Sequence, residues 1–340
     1  MAGGQHGEDR LIGWLRAELR RRDLPDLLGD DVARLSLTGG WAVSADQQIE
    51  GVHFRPELPS GRIGRRTVAV NLSDLAAAGA SPGYALVTVA ASQSFDFKSF
   101  FRGLLDGCQQ FGLTLAGGDL AAAPRTAVSM TVFGRRQSGG RWPRRELARP
   151  GDTLWLGGAV GESALGRALL AKGAVTMPRS VRLPRAVPPA LRQAARNAVE
   201  RHVAPVPQLE LGAWLAGRRR AAAIDVSDGV LLDLERLARA SAVTCEIDCK
   251  ALPLSPEFAK LARWSGEDAD RLALAGGEDY VLLFGVPGGL RPPGEFGATP
   301  IGRVVSSVRR TPRRWVRLVG ARSELAPDKG WDHLERFGSR

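Results

Sequence analysis

Seven aspartates stand in five short clusters flanked by glycine, serine or alanine. They are Gly29-Asp30-Asp31, Ser44-Ala45-Asp46, Asn71-Leu72-Ser73-Asp74, Gly117-Gly118-Asp119 and Asp225-Val226-Ser227-Asp228-Gly229. Most of them abut an apolar run, which predicts carboxylates at the tips of strands. A chain with a formal net charge of +11 has no general need to gather acids in this way. Hard cations supply a reason. Mg²⁺ takes oxygen ligands and bridges to substrate phosphates. The chemistry expected is phosphoryl transfer or nucleotide binding.

Each cluster also has an ordinary reading. Two acids in a turn, as at Asp30 and Asp31, are commonly just solvated, and an Asp after a strand, as at Asp46, is common in loops. Asp74 is harder to dismiss, because residues 68–80 are otherwise built for burial and an unpaired buried carboxylate is costly. Gly117 and Gly118 allow either a phosphate or a second backbone to come close. They belong to no phosphate-binding Gly-Lys-Ser/Thr loop, and no G-x-G-x-x-G fingerprint occurs. Asp225, Ser227 and Asp228 open a helix, where capping is the simple explanation and a cation held between two acids the other. His53 is either a ligand or a hydrogen-bonded structural residue. Gly276-Gly277-Glu278-Asp279-Tyr280 reads as a polar turn entering a strand.

The elements that must position these residues follow from periodicity. Residues 8–22 form an amphipathic helix. Strands are expected at 32–37 and 41–44, then a buried helix at 65–80 carrying Asn71 and Asp74. A strand at 84–90, a helix at 97–111 and strands at 113–116 and 127–133 complete the first half. The Gly-, Arg- and Ser-rich stretch 135–145 and the Pro150-Gly151 turn mark a boundary. The expected domains are therefore 1–148 and 149–340. In the second, strands are expected at 153–156, 222–225, 244–247, 280–286 and 315–318. Helices are expected at 161–171, 189–201, 207–216, 229–240 and 255–263, and an irregular cap at 328–340. This alternation is that of α/β or α+β domains.

Composition narrows the class. The chain has 340 residues, ample for a buried core. Lys+Arg number 47 against 36 Asp+Glu, and nearly all the cations are Arg, a skew that codon usage explains. No DNA- or RNA-reading motif accompanies the charge, so no nucleic-acid partner is expected. The three cysteines, Cys108, Cys245 and Cys249, form no CxxC pair, which fits a reducing cytoplasm. No run of about 18 apolar residues occurs, so no membrane association is expected.

The ordered set of clusters, with Glu50-Gly51-Val52-His53-Phe54 and the closing Gly330-Trp331-Asp332-His333, resembles the thiamine-monophosphate kinase family. That family sits in the superfamily of aminoimidazole ribonucleotide synthetase. The resemblance runs from about Gly29 to Trp331. It implies a two-domain fold of that superfamily, N-terminal ATP/Mg-binding domains pairing across a homodimer, and a C-terminal domain completing the site. It implies ATP-dependent phosphorylation of thiamine monophosphate to thiamine diphosphate, with no covalent nucleophile. By the same resemblance Asp30, Ser44, Asp46, Asp74, Asp119, Asp225 and Asp228 hold several Mg²⁺ ions. Gly118, Asp119, Arg145 and Ser227 contact ATP, while His53, Glu278 and Trp331 contact the thiamine substrate. The chain departs from the family at Ala45 and Leu120, where Thr is usual, at Val281, where Glu is usual, and in Arg145-Glu146-Leu147-Ala148. Two other readings share these motifs: a superfamily enzyme with a different phosphate acceptor, and a non-catalytic nucleotide-binding paralogue.

Overall fold

The structure is a computed structural model, which describes residues 7–28, 37–307 and 315–320. Its chain divides into two compact units. The first comprises the described residues of Met1–Leu75, Ser81–Arg136 and Thr176–Ser180, and the second comprises Ala76–Ala80, Gln137–Val175 and those of Val181–Arg340.

The first unit carries α1 (Gly7–Arg21), β1 (Trp41–Ile49), α2 (Ser60–Ala77), β2 (Ala80–Ala91), α3 (Phe97–Phe111), β3 (Thr114–Ala122) and β4 (Ala127–Arg136), the ends of α2 and β2 at Ala76–Ala80 falling in the second. The strands form one sheet in the order β1-β4-β2-β3, antiparallel between β1 and β4 and parallel between β2 and β3. α3 shows why this segment is helical. Asp96 accepts from the Ser99 amide at 2.9 Å, and Gly112 closes the helix at φ +67°. Between them Phe100, Phe101, Leu104, Leu105 and Cys108 recur at helical spacing and are buried.

The second unit carries β5 (Asp152–Leu156), α4 (Glu162–Ala171), the two-residue strands β6 (Val175–Thr176) and β7 (Val181–Arg182), Thr176 falling in the first unit, α5 (Arg192–Val203) and α6 (Leu209–Ala216). It continues with β8 (Ala222–Asp225), α7 (Val230–Ser241), β9 (Val243–Asp248), α8 (Pro256–Trp264), α9 (Ala269–Ala275), β10 (Leu282–Pro287), β11 (Thr299–Ser307) and β12 (Val316–Val319). Six strands form a sheet in the order β12-β9-β11-β5-β10-β8. Its two faces are both covered. Leu154, Leu156, Ile224 and Leu283 pack with Val230, Leu234 and Leu237 of α7. The alternate residues Trp155, Ala223, Leu282 and Phe284 pack with Leu211 and Leu215 of α6. That is why these strands read as unbroken apolar runs rather than as alternating ones.

Several expectations are corrected. The strand expected at 41–44 runs to Ile49, so Ser44 and Asp46 lie inside β1 and not in a loop after it. The strand expected to end before Gly117 runs on to Ala122, so Gly118 and Asp119 are also within a strand. The helix expected at 65–80 is α2, which begins at Ser60 and ends at Ala77. β10 begins at Leu282, because Tyr280 has φ +52° and belongs to the preceding turn. β11 and α9 were not expected at all. Pro300 and Gly302 disguise β11, and the pairing with β5 shifts register between those two residues. α9 is seven residues long, too short to show a period. Most of the strand expected at 32–37, and the cap at 328–340, lie outside the described residues. Among the described residues no helix is long and apolar enough to cross a membrane.

Candidate active site

In the first unit, β1 is one of the two edge strands of its sheet. Successive side chains of a strand point to opposite faces. Val43, Ala45 and Gln47 are exposed, whereas Ser44 and Asp46 are half-buried and Gln48 is buried. Three rungs join this strand to α2. The Ser44 hydroxyl donates to Asp74 Oδ2 at 2.5 Å, the Asp46 amide donates to Asn71 Oδ1 at 3.1 Å, and Arg66 Nε donates to Gln48 Oε1 at 3.0 Å. The order 44, 46, 48 on the strand meets 74, 71, 66 on the helix, so the two elements run in opposite directions. Asn71 is itself fixed, since its amide nitrogen donates to the Thr67 carbonyl at 2.9 Å. The ladder is a polar seam within apolar packing, because Val68, Val70, Leu72 and Leu75 of α2 are all buried.

His53 lies in the turn after β1, where its Nδ1 accepts the Ile49 amide at 3.0 Å. The proton of the neutral ring is therefore on Nε2. Asp119 is exposed on β3, paired in register with Thr88 of β2. Gly118 has a structural reason to be glycine. A Cβ there would come within 1.7 Å of the Val87 carbonyl oxygen, so it is the neighbouring strand that comes close.

In the second unit two loops are stitched together. Asp225 ends β8, and Ser227 and Asp228 lead into α7. The Tyr280 amide donates to the Val226 carbonyl at 2.8 Å, the Val226 amide to the Val281 carbonyl at 2.8 Å, and the Glu278 amide to the Ser227 carbonyl at 2.6 Å. Glu278 has φ +59°, a region uncommon for a residue with a side chain. The N-cap of α7 is Gly229, which has no side chain to cap with. From inside the helix Asp233 ties down the loop before it, its Oδ2 accepting the amides of Ser227 at 3.1 Å and Asp228 at 3.0 Å. Arg236 bridges Asp228 Oδ2 at 2.5 Å and Asp233 Oδ1 at 2.7 Å. Burial, aided by the charge of Asp228, pushes the Asp233 carboxyl up to about 6.

Asp279 caps the start of α4 from a distant turn. Its carboxylate accepts the Gly161 amide at 2.7 Å and the Ser163 amide at 3.2 Å. Burial pushes it up to about 7, against the opposing pull of those two amides. Arg145 is exposed, and its carbonyl accepts from Ser241 Oγ at 2.6 Å. Ser241 is the last residue of α7, so the Arg145 backbone is anchored at the far end of that helix, about 16 Å from Val230. Asp30 and Trp331 lie outside the described residues.

The chain resembles the thiamine-monophosphate kinase of Rhodopirellula baltica, with 32% identity over 96% of this chain and 98% of the relative. The chain belongs to the thiamine-monophosphate kinase family. The kinase of Escherichia coli is likewise 32% identical over 83% of each chain. The family of AIR synthase related proteins, N-terminal domain, matches residues 29–136. Among solved structures, that of the thiamine-monophosphate kinase from Stenotrophomonas maltophilia is similar with a TM-score of 0.76 and 31% identity, covering 92% of this chain and 97% of that one. The structure of AaThiL complexed with AMPPCP and TMP has a TM-score of 0.74 at 27% identity, covering 94% of this chain and 96% of that one.

Two of the positions at which this chain departs from the thiamine-monophosphate kinase family can be placed in the fold. Ala45 is exposed on the face of β1 opposite Ser44 and Asp46, so the missing hydroxyl is not part of the ladder. Val281 is buried in the core beneath β10. The donor set suits a hard cation in chemistry, since carboxylates and a hydroxyl offer only oxygen. Among the described residues no three His, Cys, Asp or Glu side chains come close enough to hold a metal ion alone. Sequence reasoning missed Asp233, Arg236 and His202. Asp233 and Arg236 stand at helical spacing from Gly229, which is the signal that could have found two of them.

Proposed function

We propose that this chain transfers the terminal phosphoryl group of ATP to the phosphate of thiamine monophosphate, giving ADP and thiamine diphosphate. One observation carries the reading: end-to-end similarity to a thiamine-monophosphate kinase at 32% identity over 96% of the chain. The acceptor is already a phosphate oxygen, so the reaction needs little general-base help and no covalent nucleophile. The difficulty is bringing two polyanions together. Mg²⁺, when bound, supplies charge neutralisation and alignment for in-line transfer. On this reading the several ions would be held by Asp30, Ser44, Asp46, Asp74 and Asp119 within the first unit and by Asp225 and Asp228 within the second.

Gly118, Asp119, Arg145 and Ser227 are the proposed ATP contacts, and His53, Glu278 and Trp331 those of the thiamine substrate. The Glu278 carboxylate suits the fixed positive charge of a thiazolium ring, and an indole suits its flat face. The proposed domain roles follow, with nucleotide and metal binding centred on 1–148 and completion of the site on 149–340. We further propose a homodimer through the outward face of the four-stranded sheet. Val43 (58%) and Leu86 (37%) are exposed there beside Trp41, which stacks on Tyr84 at 5.9 Å. A cytoplasmic site of action is supported by three cysteines that make no disulfide.

The test is direct. The protein incubated with ATP, Mg²⁺ and thiamine monophosphate is expected to form thiamine diphosphate, to stop in excess chelator and to resume when Mg²⁺ is restored. Failure to form thiamine diphosphate under any divalent cation would sink the reading.

A further inference from the structure

The second unit holds a buried imidazole that no part of the sequence pattern explains. His202 lies in the last turn of α5 and is 6% exposed. Its Nδ1 is 3.2 Å from Ser163 Oγ and 3.5 Å from Glu278 Oε2. Ser163 is fixed in turn. It is fully buried in the first turn of α4, and its amide is bonded to Asp279. The ring is thus wedged between the start of α4 and the Gly276–Tyr280 turn. The other charged groups of this neighbourhood are Asp279 and the pair Glu162–Arg201, whose closest approach is 3.5 Å.

Glu278 is held at two points. Its amide is tied to the loop before α7, and its carboxylate reaches back to a buried ring on α5. A glutamate side chain has three rotatable bonds. Fixing them only when the ligand arrives would weaken binding, and fixing them beforehand removes that cost.

We propose that His202 is a positioning residue for thiamine monophosphate: its Nδ1–H, with Ser163 Oγ beside it as a second acceptor, holds the Glu278 carboxylate ready for the cationic ring. The inference rests on the reading of Glu278 as a contact of the thiamine substrate. His202 touches neither phosphate nor nucleotide in this role, so its effect falls on one substrate only.

The test is steady-state kinetics of the full chain with each substrate varied. Glu278→Gln and His202→Leu are each expected to raise the KM for thiamine monophosphate about tenfold, the scale of one hydrogen bond to a charged group, with the KM for ATP changed less than about twofold. His202→Asn places an amide nitrogen near the position of Nδ1 and is expected to restore most of the affinity. His202→Gln places its amide near Nε2 instead. It is expected to fold normally and not to restore affinity, which keeps the test open should the Leu variant not fold. The double variant His202→Leu/Glu278→Gln is expected to be no worse than Glu278→Gln alone, because the two residues act as one unit. Additive losses in the double variant, or a His202→Leu effect on the ATP constant and thermal midpoint that Asn does not rescue, would overturn the positioning role. Glu278→Gln without effect on the thiamine constant would instead overturn the assignment of Glu278, and the inference with it.

Discussion

The β1–α2 ladder and the paired loops around α7 both hold carboxylates away from bulk water, but they do so by different means. In the first unit Ser44, Asp46 and Asp74 ride on a strand and a helix. Most of their backbone groups are satisfied by regular structure, and only side chains remain to be arranged. In the second unit Asp228 and Glu278 ride on loops whose amides have no ladder to join. Those amides are met instead by Asp233 and by the Ser227 carbonyl. The difference teaches where damage goes. An acid on a regular element can lose its charge without loss of fold, whereas a loop built from mutual hydrogen bonds fails as a unit.

The largest expected effect tests the first half of that comparison. Asp74→Asn keeps an oxygen that can accept from Ser44, so the ladder survives. A charged ligand is lost, and turnover is expected to fall at least about 100-fold, the scale of one strong transition-state contact. The thermal midpoint should stay level or rise, as repulsion among neighbouring acids is relieved. A variant with normal turnover would make Asp74 a structural residue only.

The second comparison sets two glycines against each other. At Gly277 φ is +70° and an added Cβ would lie 2.8 Å from the Ser227 carbonyl oxygen. Gly277→Ala is therefore expected to cost about 2 kcal/mol of stability and to raise the KM for ATP, since the loop carrying Ser227 must shift. Gly118→Ala meets the Val87 carbonyl oxygen at 1.7 Å, which forces β3 away from β2. Its stability loss should be the larger of the two, read as the shift in denaturation midpoint. Equal tolerance of both would mean that neither close approach is needed.

The smallest effect is a pH dependence confined to the second unit. Asp279 is raised from the usual 3.8 to about 7, so the folded chain holds its proton more tightly than the unfolded chain. Stability from this group is full below the unfolded value and is lost as pH rises through the folded one. Between about pH 5 and pH 8 the wild-type melting temperature should fall more than that of Asp279→Asn, because the amide has no proton to lose. Parallel curves for the two proteins would show that the buried carboxyl is not the cause.

Local pattern carried much of this molecule. The helix in α3, the amphipathic α7 and the apolar runs of β5 and β8 are legible because periodicity is a property of neighbouring residues. The acid clusters were legible too, since their types and glycine neighbours are written consecutively. Their settings were not. Ser44 and Asp46 read as a strand's exit because polar residues ended the apolar run, yet β1 continues through them, with the Asp46 amide met by Asn71 of α2. β11 was hidden by a proline and a glycine that its irregular pairing accommodates.

What the sequence alone determined is the alternation of elements, the family resemblance and the inventory of oxygen ligands. Only the tertiary structure decided which groups meet. Ser44 finds Asp74 across 30 residues, and Ser163 finds Asp279 across 116. Each such meeting depends on a loop closing and a core forming between the partners. For that reason a residue such as His202, plain in its own helix, takes its role from a turn far along the chain.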